Sequence, residues 1–126
     1  IWLELVYLVI PGINDDDENI DLFLNWIKKN LSIDVPIHFL RFFPNYKMYD
    51  LPPTPSSELS RIAKKATNLG FHYVYVGNLR TDKYEDTYCP GCGKKLIDRS
   101  GYIIKYNKIK NGRCPYCGKK IAGRFK

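Results

Sequence analysis

The sequence predicts an α/β protein in which three strands alternate with two helices and are followed by a small metal-clipped β module. Three observations predict it. Short β-rich apolar runs at 2–10, 35–42 and 71–76 are separated by two stretches with helical periodicity. All four cysteines fall in two matching knuckles, Cys89-Pro90-Gly91-Cys92-Gly93 and Cys114-Pro115-Tyr116-Cys117-Gly118. Charge is divided unevenly: residues 1–78 hold nine acids and seven bases, whereas residues 79–126 hold four acids and thirteen bases. The boundary implied is a first unit over 1–78 and a second over 79–126.

Residues 2–10 are apolar on both alternating sets apart from Glu4, the pattern of a parallel-sheet strand covered on two sides. Pro11-Gly12 stops the run, and Asn14 with Asp15, Asp16 and Asp17 supplies an N-cap and acids for the positive end of a helix dipole. Ile20, Phe23, Leu24, Ile27 and Leu31 then follow at helical spacing, giving an amphipathic helix of about four turns. The second strand, 35–42, carries His38 and Arg41 on opposite faces. Burying either in so apolar a run requires a partner, so at least one faces a polar cavity or the strand's open end. Arg41, at the C-terminal end, is the stronger functional candidate; His38 reads equally as a hydrogen-bonded core histidine.

The proline-rich segment 43–54 is too long for a plain connection and reads as a functional loop. Thr54 caps the next helix with Pro55 at its first position, Leu59, Ile62, Ala63, Ala66 and Leu69 form its buried stripe, and Gly70 ends it. In the third strand, 71–76, His72 lies at the start, away from where parallel sheets place chemistry, and is structural. Right-handed crossovers make the three strands parallel and bring Pro11-Gly12, Arg41-Phe42 and Gly77-Asn78 to one rim.

The two C-x-x-C knuckles, 21 residues apart, have the spacing of a zinc ribbon, with Cys89, Cys92, Cys114 and Cys117 as four thiolate ligands. All four positions are filled by protein, so the metal is structural. Iron in a rubredoxin-like site fits the same turns, and two disulfides are the reading that an oxidising compartment would favour. Between the knuckles, 102–106 reads as a strand and Asn111-Gly112 as a tight turn. No apolar run is long enough to span a bilayer and the apolar start lacks a basic flank, so a cytoplasmic protein without a membrane partner is expected. Opening on Ile1 with no turn or cap before an apolar run, the chain reads as cut from something longer.

Five blocks carry a resemblance: 8–15, 35–48, 52–55, 73–78 and 87–93, in order along nearly the whole chain. They resemble the C-terminal part of pyruvate formate-lyase activating enzyme-like radical SAM proteins, most closely the AmmeMemoRadiSam-system branch. Leu96-Ile97, Arg99, Gly101-Tyr102, Gly112 and 121–125 are similar to that branch's zinc-ribbon tail. The resemblance implies the last strands of a partial (β/α) barrel followed by the ribbon. It further implies that His38, Arg41 and Asn78 on the rim contact S-adenosylmethionine or substrate, their separate roles being open.

In the full enzyme a [4Fe-4S] cluster would cleave S-adenosylmethionine to a 5′-deoxyadenosyl radical acting on an unidentified substrate, a protein among the options. The family's C-x-x-x-C-x-x-C cluster loop is absent from these residues. The chain is therefore expected to be inactive alone, with the missing N-terminal barrel portion as its first partner. The competing reading is a stand-alone zinc-ribbon module whose basic half binds nucleic acid or a protein.

Overall fold

The computed structural model describes residues 2–43, 52–77, 84–100 and 103–123. Their order is β1 (Leu5–Val9), α1 (Asp17–Asn30), β2 (Ile37–Arg41), α2 (Ser56–Asn68) and β3 (Val74–Gly77), then β4 (Thr87–Tyr88), β5 (Lys95–Ser100) and β6 (Ile103–Asn107). β1, β2 and β3 form a parallel sheet with β2 in the middle, and β4, β5 and β6 form a second, antiparallel sheet with β5 in the middle. The expected alternation of strands and helices is present. β5 is an addition, since Leu96 and Ile97 sit side by side between Lys95 and Asp98-Arg99-Ser100, with no alternating apolar pattern to announce a strand.

Within the parallel sheet, Tyr7, Phe39 and Val76 are register neighbours, as are Val6, His38 and Tyr75 on the opposite face. Both helices pack on the first face: Ile20, Leu24 and Ile27 of α1 and Leu59, Ile62, Ala63 and Ala66 of α2 share one core with Val9, Ile37, Phe39 and Val76. β1 is consequently not covered on two sides. Val6 and Leu8 remain 59% and 42% exposed, because every described helix lies on the other side. At the end of the α1 stripe, Leu31 is the C-cap residue and is exposed, its amide bonded back to the Ile27 carbonyl.

The acidic cluster divides its work. Asp16 is the N-cap, its carboxylate accepting from the Asn19 amide at 3.2 Å. Asn14 instead ties off β1: its Nδ2 donates to the Leu8 carbonyl at 2.8 Å and its Oδ1 accepts from the Ile10 amide at 2.7 Å. Arg61 of α2 reaches Asp17 at 2.5 Å, joining the two helices across their exposed sides.

Thr54 is not a helix cap. Pro55 occupies that position without a side-chain bond, while the buried Thr54 hydroxyl donates to the Val9 carbonyl at 2.6 Å and accepts from the Phe42 amide at 2.9 Å. One hydroxyl thus joins the C-terminal ends of β1 and β2. Of the proline-rich segment 43–54, which leads from β2 to α2, residues 44–51 lie outside the described residues. Gly70 does terminate the second helix, with φ +102 and its amide bonded to Thr67. No described helix is long and apolar enough to cross a membrane.

The two sheets meet at β3. Tyr73 and Tyr75 pack against Leu96, Ile97, Ile121, Cys89 and Cys114 in a second core. The Tyr73 hydroxyl accepts from the Ala122 amide at 3.1 Å, and the Tyr75 hydroxyl lies 2.8 Å from Thr87 Oγ1. Outside β3, the Val76 amide donates to the Tyr84 carbonyl at 3.0 Å, so that edge is met by the chain leading into the ribbon.

Candidate metal centre

Each knuckle is built by the same three backbone devices. In the first, the Gly93 amide donates to the Cys89 carbonyl and the Cys89 amide to the Lys94 carbonyl, both at 2.9 Å. In the second, Gly118 bonds Cys114 and Cys114 bonds Lys119 at the same 2.9 Å. Gly93 and Gly118 have φ +77 and +79, a left-handed conformation that a side chain would strain, which is why glycine follows the second cysteine in both. The turns aim amides at sulfur: Gly91 N lies 3.3 Å from Cys89 Sγ and Tyr116 N lies 3.4 Å from Cys114 Sγ.

All four sulfurs lie within 4.8 Å of one another, with Cys89 and Cys117 at 3.5 Å and Cys92 and Cys114 at 3.7 Å. A disulfide holds its sulfurs at about 2.05 Å, and all four cysteines are free. Four thiolates set tetrahedrally about 2.3 Å from a zinc ion lie about 3.8 Å apart, and iron–thiolate geometry differs little. The four cysteines are therefore positioned to hold one metal ion, zinc or iron. Every position of such a site is taken by protein.

Electrostatics make the same point from the charges. Burial opposes ionisation of Cys114, but the Cys117 and Tyr116 amides and the neighbouring thiols outweigh it and bring its pKa down to about 7. At Cys117 the Lys119 amide favours the thiolate, yet the Cys89 thiol first, then burial and the other two sulfurs, push it up to about 11. Four sulfurs this close cannot all carry charge without a cation among them.

The leading cysteine of each knuckle, Cys89 or Cys114, is buried in the core shared with Tyr73, whereas Cys92 and Cys117 face outward. Asn111 and Gly112 have φ 53 and 70, forming the expected tight turn, and Lys110 and Arg113 exchange both backbone bonds across it. Sequence reasoning missed what fastens the ribbon's other end. Buried Asp86 accepts from the Arg99 amide at 2.7 Å and pairs with Lys95 at 3.0 Å. Arg99 also reaches Thr87 Oγ1 at 2.8 Å and lies 5.6 Å over the Tyr75 ring.

The other candidate residues that are described are not brought to the thiolates. His38 lies on the helix-free face, its Nε2 2.8 Å from Glu4 Oε1 and its ring stacked on Tyr75 at 5.1 Å. Glu4 stood out as the one acid of its apolar run, and His38 is the partner that signal required. Arg41 donates from Nε to the Thr54 carbonyl at 2.9 Å and lies 4.9 Å over Phe43. His72 pairs with Asp34 at 2.6 Å beside the sheet's opposite end. Asn78 lies outside the described residues.

Among curated proteins, an uncharacterized protein of Methanocaldococcus jannaschii is 39% identical over 99 residues, which make up 79% of this chain and 30% of the relative. The matched part thus spans less than a third of that relative's length. No family model matches the chain, and no solved structure matches it.

Proposed function

We propose that these residues are the C-terminal part of a radical SAM enzyme and that the ribbon holds a structural zinc ion. The observation that carries the first half is the covering of the parallel sheet. The described helices pack on one face, and the other presents Val6, Leu8 and His38 with Glu4 beside them, while Tyr75 on that same face is packed by the ribbon. In a (β/α) barrel helices cover the outer face and the opposite face turns inward, with ligands bound at the C-terminal rim. Such an arrangement gives the helix-free face something to cover it. Blocks such as Val35-Pro36-Ile37-His38-Phe39-Leu40-Arg41 support the family assignment, and the matched relative extends well beyond the matched part.

In this reading the chemistry supplied by the bound cluster is reductive cleavage of S-adenosylmethionine, and its ligands come from residues outside this chain. The part of this chain is to orient and to exclude water. Thr54 locks the ends of β1 and β2 together, and Arg41 is anchored to the same residue. Glu4 holds the His38 ring against Tyr75, and Arg99 and Thr87 hold Tyr75 from the ribbon side. Zinc is favoured over iron because a closed, redox-silent site suits a structural clip.

The test begins with the DNA preceding the codon for Ile1. An open frame containing C-x-x-x-C-x-x-C is expected; its full product, after iron–sulfur reconstitution and reduction, should release 5′-deoxyadenosine from S-adenosylmethionine. The 126-residue chain treated identically should release none. A start codon adjoining Ile1, or 5′-deoxyadenosine formed by the short chain, would overturn the reading.

A further inference from the structure

On the ribbon, two lysines and two tyrosines gather beside the second knuckle. Tyr116, between Cys114 and Cys117, is 46% exposed, and Lys94 lies 4.5 Å over its ring. Lys108 donates to the Tyr116 hydroxyl at 3.0 Å and lies 4.8 Å over the Tyr106 ring and 5.8 Å over that of Tyr116. One ammonium thus touches both rings, making them near neighbours.

Among the described residues no carboxylate pairs with Lys94 or Lys108. Among the described residues Lys95 is the one ribbon lysine with a carboxylate partner, Asp86. Asp98 lies across the ladder from Tyr106 but forms no ion pair with Lys94 or Lys108. The backbone beneath Tyr116 is held by the Tyr116 N–H to Cys114 sulfur contact and by the Gly118 to Cys114 bond, so the ring projects from a rigid turn.

We propose that this face, formed by Tyr106 and Tyr116 with Lys94 and Lys108, binds single-stranded nucleic acid. Aromatic platforms interleaved with ammonium groups match alternating bases and phosphates: rings stack bases without regard to sequence and the cations follow the backbone. An acidic peptide would satisfy the lysines but leave the exposed Tyr116 ring without a flat partner. A duplex would hide its base faces from them. The proposal is independent of the enzymatic reading, and its test uses neither S-adenosylmethionine nor an iron–sulfur cluster.

The metal-loaded 126-residue chain is titrated into fluorescein-labelled 12-mers of oligo-U and oligo-dT, with anisotropy followed at several salt concentrations between ~50 and ~300 mM. Saturable binding to at least one is expected, and the stronger of the two arms names the sugar. Tyr116→Ala, with metal content unchanged, should weaken binding about tenfold by removing a stacking platform, and Tyr116→Phe should restore most of it. Replacing both Lys94 and Lys108 with Gln should flatten the plot of log affinity against log salt by about 1.4, at roughly 0.7 for each phosphate no longer neutralised. The proposal fails if no saturable binding occurs at ~50 mM salt, or if Tyr116→Ala binds as well as the parent. It fails equally if poly-glutamate or a duplex of equal charge competes as well as the unlabelled strand, since charge alone would then account for binding.

Discussion

At the residue scale, two side chains each hold distant parts of the chain in place. Cys114 is buried with Leu96, Ile97 and Tyr73 while its sulfur faces those of the other knuckle. Cys114→Ser removes one of four ligands and leaves three thiolates that cannot close the site. The chain is expected to lose its metal, measured as zinc by atomic emission at one per chain in the parent, and amide exchange over 84–123 should accelerate. A red parent protein would identify iron and overturn the zinc assignment. Thr54 does for the parallel sheet what Cys114 does for the ribbon, through hydrogen bonds. Thr54→Val keeps the shape and removes the hydroxyl, leaving the buried Val9 carbonyl and Phe42 amide each without that partner. A destabilisation of about 1–3 kcal/mol is expected from chemical denaturation, with Thr54→Ser close to the parent; an unchanged midpoint in the valine variant would count against the bridge.

At the element scale, α1 is held at its start by acids that serve different ends. Asp16→Ala removes the acceptor for the Asn19 amide and should lower the melting temperature, as loss of an N-cap does, with Asp16→Asn close to the parent; an unchanged melting temperature in the alanine variant would count against the cap. Asp17 reaches outward to α2, where hydrogen bonds from Arg61 first and Lys65 second hold its carboxyl below the usual carboxylate range. A carboxyl whose pKa is lower in the folded than in the unfolded chain contributes its stabilisation fully above the unfolded value, near 4, and loses it as pH falls through the folded value. The melting temperature should therefore drop between pH 7 and pH 3 by less in Asp17→Asn than in the parent. Equal drops would show that the helix-to-helix pair contributes nothing measurable, which is common for exposed pairs.

At the scale of the whole molecule, the parallel sheet depends on the ribbon for part of its cover. Tyr73 and Tyr75 are packed by Leu96, Ile97 and Ile121 and bonded to Ala122 and Thr87, while Val6, Leu8, Trp2 and Leu3 are exposed. Residues 1–78 expressed without the ribbon would expose both tyrosines and the β3 amide that now meets Tyr84. That fragment is expected to self-associate on size exclusion, because an apolar sheet face beside unpaired edges invites pairing. A monodisperse monomer with strong exchange protection across β1 and β3 would show the sheet to be self-sufficient.

The reach of the sequence follows from the range of the interactions involved. The two knuckles, the Asn111-Gly112 turn and the Gly70 helix stop were legible because each depends on a few adjacent residues whose backbone angles or ligand atoms admit little else. The stripes Ile20–Leu24–Ile27 and Leu59–Ile62–Ala66 were legible because burial on one side of a helix leaves a periodic trace. Which side of the sheet those stripes cover left no such trace. A run apolar on both alternating sets looks alike whether one face or two are covered, so the exposure of Val6 and Leu8 emerged only when both helices were found on the same side. The partners of polar groups were similarly hidden: Thr54 with Val9, Glu4 with His38, and Arg99 with Asp86 and Thr87. Sequence alone could state that each buried or apolar-flanked polar group needs a partner. Only the tertiary structure could choose it, because the choice depends on which strand ends and sheet faces long-range packing sets within a hydrogen bond's length of one another.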